Sequence, residues 1–132
     1  MNFIGRKEQL KKLDKVIHAE KMTFSLIYGR RRVGKSELVK QAISKSNVKA
    51  LYYECKQVAQ ESNVDGLSEI VSEVMELPKL GFSDIESLLK YVFELSTKEK
   101  LVLVLDEYPY LRESVNGMDS ILQALVDKYR ET

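Results

Sequence analysis

Long apolar runs are missing from this 132-residue chain: no stretch approaches the 18 consecutive apolar residues of a membrane-spanning helix. The opening Met1-Asn2-Phe3-Ile4-Gly5-Arg6-Lys7 holds no apolar segment of the kind a secretory signal carries. A single cysteine, Cys55, cannot form an internal disulfide, so a reducing compartment is expected. A single histidine, His18, leaves no second imidazole for a metal site. The two prolines, Pro78 and Pro109, mark no linker, and no internal repeat or low-complexity stretch occurs. These absences predict one cytoplasmic domain over residues 1–132, with no membrane contact.

Hydrophobic residues make up 44% of the chain and charged residues 31%, enough apolar material for a modest core, which excludes a disordered tail. The net charge of +1 conceals a division. Residues 1–49 carry 13 Lys/Arg against 4 Asp/Glu, whereas residues 50–132 carry 8 against 16. Surface charge varies along any chain, and that is one reading. The other is that the first third faces an anion, either a phosphate-bearing ligand or nucleic acid.

Leu10, Leu13 and Ile17 fall at helical spacing, which predicts a helix from about Arg6 to Glu20. Thr23–Tyr28 is short, aromatic and β-branched and stops at Gly29, so it reads as a strand. A helix is expected from about Gly34 to Ser44 and a second strand over Val48–Cys55. Two helices follow: one with Leu67, Ile70, Val71 and Val74 on one face and Pro78 past its end, and one starting at Ser83. In the second, Glu86 completes a capping box, and Ile85, Leu88, Leu89 and Val92 point inward. Leu101–Leu105 is continuously apolar, as a strand covered on both faces must be. Asn116-Gly117 marks a turn before a last helix from about Met118 to Arg130. Alternating strands and helices argue for an α/β fold, a three-layer, mostly parallel sheet.

Gly29-Arg30-Arg31-Arg32-Val33-Gly34-Lys35-Ser36 fits G-x-x-x-x-G-K-[ST] between a predicted strand and a predicted helix. The glycines let successive backbone N–H groups turn inward as a nest for anionic oxygens, and the helix running on through Glu37 adds its positive end. Lys35 has the reach for β- and γ-phosphates, and the Ser36 hydroxyl is a hard ligand for Mg²⁺. The bland alternative is a glycine turn ahead of a helix. Arg30, Arg31 and Arg32 read either as a solvated rim or as contacts for phosphate or an acidic partner.

Asp106-Glu107 closes the buried strand at the end where open α/β sheets bind ligands. Asp106 is placed to hold Mg²⁺ through water, and Glu107 to polarise a water for attack on a γ-phosphate. Taken alone, the pair is an ordinary acidic strand end. Cys55 reads as a small core residue, and Tyr108 and Tyr110 as packing at the strand exit or a brace for a base.

Phe3-Ile4-Gly5-Arg6-Lys7-Glu8-Gln9-Leu10, the phosphate loop (Walker A) with Tyr28, and Leu103–Leu111 around Asp106-Glu107 (Walker B) together resemble the amino-terminal ATPase region of the archaeal-type P-loop ATPases, related to the AAA+ and signalling (STAND) classes. Lys7 before Glu8 is a small departure from the family's opening. The resemblance implies ATP and Mg²⁺ as ligands, a P-loop NTPase fold, and an adenine bordered by Phe3–Arg6, with Ile4 and Gly5 as backbone contacts. Relatives place a further strand between the phosphate-loop strand and the acidic strand and continue past it, so this chain is expected to be an incomplete domain. Its two strands would then either leave a gap, inviting self-association through an unpaired edge, or pair directly.

Three functions stay open: a Mg²⁺-dependent ATPase driving a conformational change, a nucleotide switch without useful turnover, and a nucleic-acid-associated module using the basic first third. A protein partner fits any of them. Lys35→Ala is expected to abolish nucleotide binding while leaving the fold intact; unchanged affinity in a binding titration would overturn the loop assignment.

Overall fold

A computed structural model of the chain describes residues 22–26, 40–45 and 47–129. The expected first helix, the phosphate loop with Glu37, and the base contacts Ile4 and Gly5 lie outside the described residues.

The fold is α/β, built on a parallel sheet of β1 (Met22–Leu26), β2 (Lys49–Glu54) and β3 (Leu101–Asp106) in the order β1-β3-β2. All six residues of β3 are buried. A strand so enclosed must satisfy its main-chain groups on both edges and cover both faces with apolar matter. β1 serves one edge, with Met22 level with Leu101 and Leu26 level with Leu105. β2 serves the other, from Lys49 opposite Leu101 to Glu54 opposite Asp106. The gap considered from the sequence is therefore closed: the phosphate-loop strand and the acidic strand pair directly, and the premise of an unpaired central edge falls. Among the described residues the sheet's edges are β1 and β2.

Alternation along β3 sorts the core. Leu101, Leu103 and Leu105 join Leu51, Tyr53 and Cys55 in the larger cluster, while Val102 and Val104 meet Ala42, from the helical residues 40–45, on the other face. The large cluster is sealed by α1 (Gln60–Met75), α2 (Ile85–Ser96), α3 (Tyr108–Ser114) and α4 (Met118–Tyr129).

Helix α1 buries Val64, Leu67, Val71 and Met75, and the expected Ile70 and Val74 pack against the same core half-buried. It ends where Glu76 takes a left-handed conformation (φ 55°), and the Glu76 and Leu77 amides both donate to the Ser72 carbonyl. Pro78 follows, as anticipated. The cap of α2 is Asp84, not Ser83: its Oδ1 accepts the Ser87 amide at 2.8 Å, holding the carboxyl below its ordinary range, while the Ile85 amide donates to Gln60 Oε1 at 2.9 Å. Helix α3 was not anticipated. Its opening Tyr-Pro-Tyr reads as a strand exit, yet Pro109 suits a first helical turn, where its missing N–H goes unneeded.

Gly66 sits on α1 where a Cβ would lie 2.8 Å from Tyr53 Cε1. The ring cannot easily yield, because Tyr53 Oη donates to Asn63 Oδ1 at 2.6 Å in the buried interior. Alanine improves helix propensity by about 1 kcal/mol, but overpacking costs about 1–3 kcal/mol. Gly66→Ala is therefore expected to lower the melting temperature, whereas Gly81→Ala, with nothing within 4 Å of its Cβ, is not; equal melts would refute the packing argument.

Candidate functional site

In a parallel sheet the ligand crevice lies at the carboxyl ends of the strands. Here that edge is formed by Leu26, Glu54 and Asp106, with Leu26 beside Leu105 and Glu54 beside Asp106. The phosphate-loop sequence begins shortly after Leu26, so the strand leading into it ends next to the acidic pair.

Asp106 is 5% exposed and held at three points. Its Oδ1 accepts the Glu107 amide at 2.8 Å, its Oδ2 accepts the Tyr52 hydroxyl, and its carbonyl accepts the Cys55 amide at 2.8 Å. Tyr52 lies on the sheet face of Ala50 and Val104, one strand over and two residues short of Asp106 in register. Lys40 Nζ rests 5.1 Å from the centre of its ring. Tyr52 was not singled out from the sequence. The register of β2 on β3 brings its hydroxyl to the carboxylate.

Glu107 is 8% exposed and takes φ 55°, ψ 40°. A left-handed glutamate is a strained one. The turn swings the chain from β3 into α3, and the Glu107 carbonyl accepts the Tyr110 amide at 3.1 Å. Glu107 stands at the N-cap of α3, yet its side chain makes no capping bond there. Buried carboxylates at the ligand end of a parallel sheet are candidates for chemistry. Asp106 and Glu107 thus lie together, as expected, while Lys35, Ser36 and the rest of the loop lie outside the described residues.

Tyr108 is fully buried, and its hydroxyl donates to Asp119 Oδ1 at 2.5 Å, so it packs the strand exit. Arg112 lies 3.7 Å from the other Asp119 oxygen and stacks over the Tyr108 ring. The loop after β2 is pinned by fully buried Asn63, which accepts the Lys56 amide at 3.0 Å and donates to the Lys56 carbonyl at 3.1 Å. Cys55 is core, as expected. Burial pushes its thiol up to about 12, and the carboxylates of Asp106, Glu107 and Glu54 add to the rise. Burial also raises the Tyr53 hydroxyl to about 12.

Comparison with known proteins places the chain. Residues 3–131 match a family described as an ATPase domain predominantly from Archaea. An uncharacterized protein of Methanocaldococcus jannaschii is 27% identical over 125 residues, covering 95% of this chain and 26% of the relative. An uncharacterized ATP-binding protein of the same organism is 38% identical over 47 residues, covering 36% of this chain and 80% of the relative. The chain spans about a quarter of the length of the first relative. No solved structure matches it.

The raised Cys55 and Tyr53 groups hold protons in the folded state that the unfolded chain releases near their ordinary values of 9.0 and 10.0. Their contribution to stability is complete below about pH 9 and is lost as pH rises toward 12. Melting temperature is expected to fall across that window. Cys55→Ala should move the onset toward pH 10, and native Cys55 should resist thiol reagents at pH 8 until the protein unfolds; rapid labelling of the folded protein would contradict this placement.

Proposed function

Because the chain belongs to the family of ATPase domains found predominantly in Archaea, we propose that it binds ATP with Mg²⁺ and hydrolyses it in a cycle coupled to conformational change. The observation that carries this reading is the buried Asp106-Glu107 pair at the end of the central strand, beside the strand that leads into the phosphate-loop sequence. Helical residues 40–45 on one sheet face and α1–α4 on the other favour the three-layer arrangement of P-loop domains. The name of the ATP-binding relative from Methanocaldococcus jannaschii points the same way.

In this reading the amides of Gly29, Arg30, Arg31, Arg32, Val33 and Gly34 cradle the phosphates, the helix start at Ser36 and Glu37 adds its dipole, and Lys35 pairs with the β- and γ-phosphates. Ile4 and Gly5 border the base.

The donor chemistry fits Mg²⁺. The Asp106 carboxylate and Ser36 hydroxyl are hard oxygens, and an ion that keeps its waters and binds phosphates needs no three-carboxylate cage. No such cluster exists among the described residues. Bound there, Mg²⁺ supplies charge neutralisation at the phosphate oxygens. Glu107 accepts a proton from the attacking water, which displaces ADP from the γ-phosphorus.

A thermal melt with MgATP at about a hundred times its dissociation constant should stabilise the fold by about 2.7 kcal/mol, a shift of several degrees. Glu107→Gln should keep that shift while turnover falls by about 10²–10⁴-fold. A shift without turnover in either protein would leave a nucleotide switch, and no shift would overturn the reading.

A further inference from the structure

Among the described residues, two donors of different kinds hold the Asp106 carboxylate. The Glu107 amide is main chain and comes with the turn into α3, but the Tyr52 hydroxyl reaches across from β2. Tyr52 is half-buried, and its ring joins Ala50, Val102 and Val104 in the smaller cluster. A phenylalanine would fill that packing equally well, so what the hydroxyl adds toward Asp106 is orientation. With a described donor on each oxygen, the plane of the carboxylate is fixed. The same ring lies under Lys40, four residues after Ser36 in the chain. Tyr52 therefore ties the chain that follows the phosphate loop to the acidic end of β3.

We infer that Tyr52 is a positioning residue for the metal–nucleotide site, orienting Asp106 so that it receives hydrated Mg²⁺ bound with ATP; this rests on the proposed reading of Asp106 as the metal-side carboxylate. Hydrogen-bond partners behind a metal ligand set its orientation, and removing one weakens metal binding without touching the metal.

The test measures ATP affinity calorimetrically while Mg²⁺ is titrated, and again in EDTA. It uses the intact protein as wild type, Tyr52→Phe, Asp106→Asn and the double variant, each first shown to be folded by its melt. Tyr52→Phe is expected to need about tenfold more Mg²⁺ for half of the affinity gain. Its ATP affinity in EDTA should equal that of wild type. In the Asp106→Asn background the tyrosine change should cost nothing further. An unchanged Mg²⁺ midpoint in Tyr52→Phe, or an equal loss with and without Mg²⁺, would overturn the inference and leave Tyr52 a packing residue. If wild-type affinity itself ignores Mg²⁺, the reading of Asp106 fails and this inference fails with it, an outcome visible without any variant.

Discussion

Strand β3 carries six buried residues in succession, and every peptide group in it needs a partner that water cannot provide. That requirement is met by a paired strand on each edge, both parallel here, while burial of the apolar side chains brings helices onto its large-cluster face. It also explains why β1 pairs with β3 directly. The ladder sets the register, and the register decides what stands beside Asp106: Glu54 on the neighbouring strand, Leu26 one step back on the far side, and the Tyr52 hydroxyl above. The surroundings of Asp106 follow from the pairing of a strand that is hydrogen-bonded on both edges.

The end of that strand is also where the backbone departs from relaxed geometry. Glu107 is a left-handed, non-glycine residue between the last residue of the sheet and a proline-containing first helical turn. Buried packing of Tyr108 and Leu111 holds the turn from one side, and the Asp106 side chain holds it from the other by accepting the Glu107 amide. Strain of this kind persists only where surroundings over-determine it. The result is two adjacent carboxylates in different settings. One is bound by donors and oriented, while the other is excluded from the cap it could have formed.

Charge is unevenly divided between the described edge and the first third of the chain. The acidic stretch after residue 50 places Glu54, Asp106 and Glu107 around Cys55, where they suppress the thiolate. In the sequence, the basic first third contains the phosphate-loop motif.

Much of this was legible in residue pattern. The unbroken apolar run of Leu101–Leu105 announced a strand with two covered faces, and Ile85, Leu88, Leu89 and Val92 announced the buried side of α2, because local periodicity reflects burial directly. Asp106 and Glu107 were legible from type and place at a strand end. Helix α3 was not, since three aromatic and imino residues resemble a turn until packing of Tyr108 against the core selects the helix. The Asp84 cap was missed by one residue, because Ser83 and Asp84 both suit an N-cap and the choice between them falls to the geometry of the first turn. The sequence by itself determined β1–β3, α1, α2 and α4 among the described elements, and it holds the acidic pair and the phosphate-loop motif in contiguous residues. Only the tertiary structure decided that β1 lies against β3, that Gly66 must make room for Tyr53, and that Tyr52 meets Asp106. Each of these joins residues far apart in the chain through strand register and packing, which no local pattern encodes.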